Sequence, residues 1–408
     1  MNQILHDQLL NDAAVPSASS SKLQALIALI AEGSAEREAS RTLPFELIGL
    51  IRQARLGALT IPAEAGGGGA SFRALFEVVI RLGAADANVA HILRNHFVFV
   101  ERYARRPRDA QQRLWQQAVL DGAIVGLANN EPAAPVVGAS PLDTVLRPDG
   151  DGFRITGRKF YSTGTLFSDL VLVRVSSEDG RPASAIIPLD RAGIELVDDW
   201  DGVGQRLTGS GTTLLTDVRV EAAEVVYDTP TQGYGLPYSS TLPQLYLTAV
   251  NAGILRAVLA DATALVRRRE RSFFFAPAPV PTDDPILQQV IGEISSAAFV
   301  AEVAVLSAAE AQDAAEALRL AGQPDLEATH QGAIRAAKAK VVVDDLVIRS
   351  GSQLFDVGGA SAALKTHNLD RHWRNARTLS SHNPRLYKAR AIGQLELNGT
   401  ALPSTSFF

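Results

Sequence analysis

Two spacings of apolar residues alternate along the chain and divide it into three parts. Before residue 122, apolar residues recur at the spacing of an amphipathic helix, as in SKLQALIALIAEG and FELIGLIRQARLGAL. Between 122 and 235 they form short runs rich in Val, Ile and Thr, separated by Gly, Pro and Asp, which predicts antiparallel strands. From 236 onwards the helical spacing returns in long Ala-rich stretches, which are typical of a closely packed bundle.

We therefore predict an α+β fold with three domains: an N-terminal helical domain (1–121), a central antiparallel β-barrel domain (122–235) and a C-terminal four-helix bundle (236–408). A chain of 408 residues is long for a single hydrophobic core. The stretch RPDGDGF is a strong hairpin signal within the β domain. The four glycines of IPAEAGGGGAS form a turn between helices, because no strand precedes them and no Gly-Lys-Ser/Thr follows.

Composition and charge narrow the possible functions. The net charge is −5, so no overall positive field would attract nucleic acid. The chain has no cysteine, which excludes disulfides, thiolate nucleophiles and Cys-ligated metal or iron–sulfur sites. No run of about eighteen uncharged apolar residues predicts a membrane span. The first residues lack the features of a signal peptide, so we expect a cytoplasmic protein without a membrane or nucleic-acid partner.

Several common catalytic motifs are missing. No Gly-x-Gly-x-x-Gly follows a strand, so no dinucleotide site of the Rossmann type is predicted. No P-loop and no Gly-x-Ser-x-Gly occur. His91 and His96 are five residues apart, which does not place them on one helical face, and we predict no metal site. Any redox chemistry must therefore use a cofactor that is held in another way.

One segment of the β domain could hold a flavin ring. GRKFYSTGTLFSD joins a turn, an aromatic pair and a Ser-Thr-Gly. A flavin needs an aromatic wall and a hydroxyl or backbone group near its N5 edge, which Tyr161 with Ser162 or Thr163 could supply. An ordinary strand end with a buried tyrosine is the alternative.

Two other segments offer further ligand contacts. Asn129 and Asn130 lie in GLANNEPAAP, where a strand leads into a loop, and ligand contacts gather at such places. A simple turn is the alternative, because Asn and Pro favour turns. DDWDGVGQRLTGSG brings Trp200 and Arg206 together with hydroxyls and glycines. Arg206 could face a phosphate or a partner, or it could lie on a solvated surface.

These three segments, in this order, resemble the acyl-CoA dehydrogenase superfamily, and the resemblance covers nearly the whole chain. It implies the acyl-CoA dehydrogenase fold and a flavin site. The family's T-E-P segment, which lies on the flavin, corresponds to Asn130-Glu131-Pro132 here. The family's W-I-T-N becomes Tyr161-Ser162-Thr163-Gly164, so that Tyr161 takes the aromatic position and Thr163 the donor to flavin N5. Its R-x-x-F-G becomes RSFF, which gives Arg271 a contact to the flavin phosphate, commonly across a subunit interface, and places Phe273 beside it.

The sequence departs from the dehydrogenases at the catalytic base. A dehydrogenase removes the proton next to the thioester carbonyl with a carboxylate. The family places that Glu either in the first helix of the C-terminal domain or after the arginine-rich helix. Residues 239–260 and 378–394 occupy these places here, and neither stretch contains Asp or Glu.

The stretch WRNARTLSSHNPRLYKARAIGQ, with DDWDGVGQRLTGSG and GRKFYSTG, instead resembles the flavin monooxygenases of this fold, above all the dibenzothiophene-monooxygenase branch. That resemblance implies reduced FMN from a separate NAD(P)H-dependent flavin reductase, O2, and oxygen transfer through a C4a-hydroperoxyflavin. An FAD-dependent acyl-CoA dehydrogenase or oxidase with a relocated base is the first alternative, and a non-catalytic ligand-binding relative is the second.

Two histidines receive catalytic roles by this resemblance. His382 precedes an Asn-Pro turn, where a near-neutral imidazole could donate to the flavin peroxide and later protonate it. His96, in LRNHFVFVE, matches a second histidine of the branch near the substrate. A histidine that only packs within a helix is the alternative for His96.

The resemblance also implies a homotetramer whose centre is formed by the C-terminal bundles. Long Ala-rich faces such as SSAAFVAEVAVLSAAEA would allow close helix contacts across its interfaces. We predict pocket walls of Phe97, Phe99, Trp200 and Tyr246, and therefore a small or medium apolar organic substrate, for which a sulfur compound is one candidate.

Overall fold

The computed structural model describes residues 14–132, 141–405 and 408. Within these residues, a group of helices is followed by a sheet and then by a bundle of long helices, so the predicted fold class is confirmed. The helices of the N-terminal part are α1 (Ser21–Ala31), α2 (Ser34–Ser40), α3 (Phe45–Ala54), α4 (Phe72–Ala85), α5 (Ala87–Ile92), α6 (Arg94–Phe99) and α7 (Ala110–Leu120). A π-helical turn, Val100–Ala104, continues α6.

The strands lie between Val125 and Tyr227. They are β1 (Val125–Ala128), β2 (Val145–Asp149), β3 (Gly152–Lys159), β4 (Leu170–Ser177), β5 (Pro182–Pro188), β6 (Ile194–Val197), β7 (Thr212–Glu221) and β8 (Val225–Tyr227). The predicted hairpin joins β2 to β3, where Arg147 pairs with Arg154 and Asp149 with Gly152.

The sheet is mixed, whereas the apolar pattern predicted purely antiparallel strands. In the described residues the order is β6-β7-β3-β2-β4-β5-β8, and β4 pairs in parallel with both β1 and β2. The order does not return to its start, so these strands form an open sheet and not a closed barrel. Alternation of apolar and polar residues records which face of a strand is buried, but it does not record the direction of the neighbouring strand.

The C-terminal part is built from α8 (Thr241–Arg268), α9 (Pro285–Leu320), α10 (Leu326–Gly358), α11 (Asp370–Ser381) and α12 (Arg385–Asn398). Asp284 caps the N-terminus of α9, where its carboxylate accepts from the backbone of Ile286, and Pro285 takes the first helical position. Asp313 of α9 reaches the N-terminus of α4 and accepts from the backbone of Phe72 and Arg73. These bonds hold the bundle against the N-terminal helices.

Two described helices, α8 and α9, are long and apolar enough by length and composition to cross a membrane. The apolar residues of α8 belong to the hydrophobic core, because this helix packs against α4, α9 and α10. Its residues Leu245, Val250 and Leu255 are fully buried there. By contrast, α9 leaves Phe299 and Val303 exposed, at 69% and 50% of their surface.

Candidate active site

A cavity of about 490 Å³ lies where the N-terminal helices, the sheet loops and the bundle meet. Its wall includes the ends of α5 and α6, the loops after β1 and β3, the loop between β6 and β7, the start of α8 and the end of α11. Six side chains that the sequence analysis proposed as site residues line it: Asn129, Asn130, Tyr161, Thr163, Trp200 and His382.

The loop after β3 is held tightly against α5 and α6. Tyr161 has a left-handed backbone with φ of 55°, an uncommon conformation for a bulky residue, and its carbonyl accepts from the backbone of Thr163 at 2.8 Å. Gly164 has φ of 81°, and a side chain there would begin 2.5 Å from the carbonyl oxygen of Ile92. The amide of Asn95 donates to the carbonyl of Thr163 at 2.9 Å. These contacts fix the backbone that carries the side chains of Tyr161 and Thr163, both of which line the cavity.

Three hydroxyls run inward from the cavity wall in a chain of hydrogen bonds. The oxygens of Thr163 and Ser210 are 2.7 Å apart, those of Ser210 and Thr208 are 2.6 Å apart, and Thr208 donates to the carbonyl of Gln205 at 2.8 Å. Each hydroxyl has one proton, so the donation by Thr208 requires Ser210 to donate to Thr208 and Thr163 to donate to Ser210. The Thr163 hydroxyl therefore has only acceptor capacity left toward the cavity, whereas the resemblance assigned it a donor role.

Trp200 and Tyr161 form an aromatic corner of the cavity. Their ring centroids are 5.8 Å apart and the ring planes are nearly perpendicular, at 83°. The indole nitrogen donates to the carbonyl of Gln205 at 2.9 Å, and the backbone nitrogen of Gln205 donates to the side chain of Asn375 at 2.6 Å. This loop is thus anchored to α11, the helix that precedes His382.

Asn129 and Asn130 stand beside a buried ion pair. Glu131 accepts from Lys159 at 2.6 Å, from the Thr144 backbone at 2.9 Å and from the Thr144 hydroxyl at 2.7 Å. Burial alone would raise the pKa of Glu131, but these bonds outweigh it and lower the pKa below 4.5. Burial lowers the pKa of Lys159 to about 8, so both groups are ionised at pH 7. Glu131 therefore fixes the end of β1 and does not face the cavity as an acid or base.

His382 ends α11 as the Asn-Pro pair predicts. Its backbone nitrogen donates to the carbonyl of Leu379, and Asn383 follows with φ of 55°. The imidazole is open to the cavity, yet protein atoms crowd around it, and this partial removal from water lowers its pKa well below 6.5. The nearby positive charge of Arg94 acts in the same direction. The imidazole is therefore neutral at pH 7.

A second cavity histidine, His91, was missed by the sequence analysis. It is buried, and its Nδ1 lies 3.0 Å from the side-chain oxygen of Gln205. With the amide oriented in this way Nδ1 is the donor, which leaves Nε2 as an acceptor. That Nε2 is buried without a partner in the described structure. Burial lowers the pKa of His91 to about 3, so this imidazole is also neutral.

His96, which the sequence analysis proposed as a site residue, lies five residues after His91 on the next helix, and it faces the core. Its Nε2 is 3.0 Å from the carbonyl of Gly57, and its Nδ1 accepts from the backbone of Val125 at 3.2 Å. The side chain is fully buried and does not line the cavity. Both nitrogens are occupied by backbone, so the structure favours the packing alternative for His96. The missed signal was the position of His91 directly before the break between α5 and α6.

Other predicted residues also lie outside the cavity. Phe97, Phe99 and Tyr246 are almost completely buried and belong to the hydrophobic cores, so the prediction that they form pocket walls was wrong. Arg271 and Phe273 are exposed on the connection between α8 and α9 and do not reach the cavity within one chain. Ser162 does not line the cavity either, and its buried hydroxyl has no hydrogen-bond partner among the described residues.

The cationic stretch at α11 is mostly paired with acidic side chains of other helices. Arg371 binds Asp261 at 2.8 Å, and Arg374 binds Glu38 at 2.5 Å. Arg206 also lies 3.6 Å from Glu38, so it is a structural cation and not a phosphate ligand of this cavity. Burial would raise the pKa of Asp261, but His372 and Arg371 outweigh it and lower this pKa to about 2.

The donor set fits a flavin and not a metal. Among the described residues no group of three or more His, Asp or Glu side chains could hold a metal ion. An aromatic corner, a hydroxyl that only accepts and two asparagine amides meet in one cavity. These are the groups that a flavin ring and its N5 edge require.

Comparisons with known proteins find relatives and solved structures that cover most of this chain. Residues 245–384 match the family model of the acyl-CoA dehydrogenase C-terminal domain. The chain is similar to a probable FMNH2-dependent monooxygenase, SfnC, from Pseudomonas putida, with 29% identity over 368 residues that cover 88% of this chain and 89% of the relative.

Two solved structures share the fold at 28% identity and a TM-score of 0.86, each covering 95% of this chain and all of the other. One is TdsC from Paenibacillus sp. A11-2 in complex with FMN and indole, a protein described elsewhere as a dibenzothiophene monooxygenase. The other is the methanesulfinate monooxygenase MsuC from Pseudomonas fluorescens. The resemblance to the flavin monooxygenases of the acyl-CoA dehydrogenase fold is confirmed.

Proposed function

We propose that this chain, which has the acyl-CoA dehydrogenase fold, is a monooxygenase that uses reduced FMN and O2 to oxygenate a small, sulfur-containing organic compound. The observation that carries the proposal is the chemistry of the cavity wall. No Asp or Glu of the described residues lines the cavity, whereas neutral His382 and His91 do. A dehydrogenase needs a carboxylate at this place, and an oxygenase needs an uncharged group that can form a hydrogen bond to the reacting oxygen at pH 7.

The residues suited to hold FMN are those of the aromatic corner and the two strand ends. Tyr161 and Trp200 would contact the ring, and Asn129 and Asn130 would bind its polar edge. The acceptor-only hydroxyl of Thr163 suits a flavin whose N5 carries a hydrogen, as it does in the reduced form. When bound, reduced FMN supplies the electrons that activate O2.

The two histidines would handle protons at different atoms. His382 is neutral and open to the cavity, so one of its ring nitrogens can donate a hydrogen bond to the reacting oxygen. His91 has its Nδ1 committed to Gln205, so only its Nε2 can accept from the substrate side. Helix α11 and the break between α5 and α6 keep these two groups in the same wall.

A first expected result concerns the hydroxyl chain. Ser210→Ala removes the acceptor for the Thr163 proton, so that Thr163 becomes free to donate to N5 of oxidised flavin. The preference for reduced over oxidised FMN should then fall roughly 3- to 10-fold, the worth of one hydrogen bond. Dissociation constants from anaerobic and aerobic fluorescence titrations give this ratio directly.

The matched control is Ser352→Ala on α10, where the hydroxyl is exposed and bonds only to the carbonyl of Ile348 within its own helix. This variant should keep the wild-type ratio. If Ser210→Ala also keeps it, the direction of the hydrogen-bond chain does not influence flavin choice.

The alternative function, an FAD-dependent acyl-CoA dehydrogenase or oxidase, makes a different prediction for the purified protein. The proposed monooxygenase should be isolated with little flavin and should bind added reduced FMN more tightly than oxidised FMN or FAD. A protein that retains FAD through purification and loses its colour on addition of an acyl-CoA would support the alternative. Failure to bind either flavin would support the non-catalytic relative.

We also propose the homotetramer, with the bundle helices at its centre. Exposed Phe299 and Val303 on α9 adjoin a surface groove between α9 and α10 that includes Val300, Val342 and Leu346. An exposed apolar face of this kind needs a partner. In such an assembly Arg271 would reach the flavin phosphate of a neighbouring subunit, as the resemblance implies.

Light scattering at micromolar concentration should give four times the mass of the 43.4 kDa chain. Phe299→Asp should shift the protein to smaller species, because it places a charge in the interface, and a wild-type monomer would reject the assembly. A separate flavin reductase and a cytoplasmic location stay predictions.

A further inference from the structure

A second group of side chains in the cavity is cationic. Arg94, at the start of α6, donates from Nε to the carbonyl of Pro243 at 2.9 Å. Arg102, in the π-helical turn, donates from Nη2 to the carbonyl of Ser239 at 2.8 Å and lies 3.8 Å above the ring of Tyr234. Both arginines line the cavity, and their carbonyl partners lie on either side of the N-terminus of α8.

Neither arginine has an acidic partner within the described residues. Most other buried or half-buried arginines form ion pairs, such as Arg174 with Asp228 and Arg371 with Asp261. The Nη1 atom of Arg102 is buried with no hydrogen-bond partner. Burial, with the nearby charge of Arg102, lowers the pKa of Arg94 to about 10, so it still carries a full charge at pH 7. Uncompensated charge at a buried site is costly, and a ligand of opposite charge removes that cost.

The start of α8 adds positive electrostatic potential to the part of the cavity wall where Arg94 and Arg102 lie. Its first turn contains no acidic residue, and Ser240 and Gln244 line the cavity beside Arg94 and Arg102. The N-terminal end of a long helix carries partial positive charge and free backbone N–H groups, which favour anions. Two arginines and a helix N-terminus therefore converge on one part of the wall.

We propose that the substrate carries a negatively charged group, a sulfonate, sulfinate or carboxylate, that Arg94 and Arg102 bind. The proposal rests on the function proposed above and narrows its substrate class to compounds that carry an anionic group, in place of the apolar substrate expected from the sequence. The phosphate of FMN is the other possible source of negative charge. The substrate is favoured because the charge of Arg94 acts on both His382 and His91, which places it beside the proton-handling groups. The flavin phosphate lies at the far end of the ribityl chain from the reacting ring.

The test compares 1-butanesulfonate with the neutral butyl methyl sulfone by calorimetric titration of the flavin-free protein. The wild type should bind the sulfonate more tightly. Arg94→Gln and Arg102→Gln should each weaken sulfonate binding about 10- to 100-fold, the worth of a charge-assisted hydrogen bond, and leave sulfone binding unchanged. Arg94→Lys, which keeps the charge, should lose less than Arg94→Gln. Arg113→Gln, an exposed arginine of α7 outside the cavity, is the matched control and should change nothing.

A second titration separates the two sources of negative charge. If the arginines hold the flavin phosphate, Arg94→Gln and Arg102→Gln will abolish the preference for reduced FMN over reduced riboflavin and leave sulfonate binding intact, which would overturn the proposal. Equal wild-type affinity for the sulfonate and the sulfone would overturn it as well. Either outcome leaves the monooxygenase assignment standing, because that assignment is tested by reduced-FMN binding and oxygen transfer.

Discussion

His382→Ala should still bind reduced FMN and consume O2, but it should release hydrogen peroxide in place of the oxygenated product. The residues proposed to contact the flavin ring and phosphate are others, so binding should not depend on this imidazole. Loss of one positioned acid–base group costs about 10²- to 10⁴-fold in the catalysed step. Parallel assays of product, peroxide and NADH consumption, with a flavin reductase as the electron source, measure this uncoupling.

The matched control is His367→Ala, because His367 is an exposed histidine on a short turn outside the cavity. It should give wild-type coupling. His382→Glu restores a carboxylate where dehydrogenases have one, and it should also fail as an oxygenase because an anion repels negative charge that develops on oxygen. Coupled turnover by His382→Ala would show that the histidine has only a structural role.

Lys159→Met should lower the free energy of unfolding by about 3–5 kcal/mol, because it leaves the ionised Glu131 buried without its cation. The pair is almost fully buried, at 0% and 4% side-chain exposure, and its nitrogen and oxygen are 2.6 Å apart. Glu131 also fixes Asn130 next to it, so flavin binding should weaken in the same variant. Urea unfolding measures the first effect, and titration with reduced FMN measures the second.

Lys338→Met provides the matched control, since Lys338 pairs with Glu396 at 2.8 Å on the surface, where both side chains are at least half exposed. An exposed pair contributes about 0–1 kcal/mol, so this variant should be nearly as stable as the wild type. Adding Glu131→Gln to Lys159→Met should restore part of the lost stability. Equal losses for the two lysine variants would mean that the buried pair does not hold the site together.

The order of the three structural parts could be predicted from the spacing of apolar residues, because burial of one face of a helix or strand imposes that spacing locally. The parallel strand pairs of the mixed sheet could not be predicted in this way. The pairing of β4 with β1 and β2 joins strands that are far apart in the sequence. The same limit applies to the arginines of α11. Their partners Glu38 and Asp261 lie on distant helices, which no local pattern reveals.

The site was predicted best where several motifs agreed. Tyr161, Thr163 and Trp200 lie on loops of the sheet, and the structure brings them into one cavity with His382. The sequence analysis proposed His96 for the site, whereas His91 lines the cavity. The two histidines stand on adjoining helices, and only the break between these helices decides which one faces the cavity.

The sequence analysis also predicted a mainly apolar cavity wall, whereas the wall contains arginine, histidine and amide side chains. An aromatic residue in a sequence looks the same whether it lines a pocket or fills a core, and Phe97, Phe99 and Tyr246 fill the core. Arg94 and Arg102, which also line the cavity, gave no local signal, because an unpaired arginine is recognised only when its surroundings are known. What distinguishes them is the absence of acidic neighbours in the described part of the wall.

The central claim, that this cavity transfers one oxygen atom from O2 to a substrate, is tested most directly with isotopically labelled oxygen. The protein is supplied with FMN, a flavin reductase, NADH and ¹⁸O2, together with a panel of small sulfinates, sulfones and sulfides. The account predicts a product that has gained a single ¹⁸O atom, detected by mass spectrometry, and no such product without FMN. Incorporation of oxygen from water alone, or flavin-dependent oxidation of an acyl-CoA without any oxygen transfer, would contradict it.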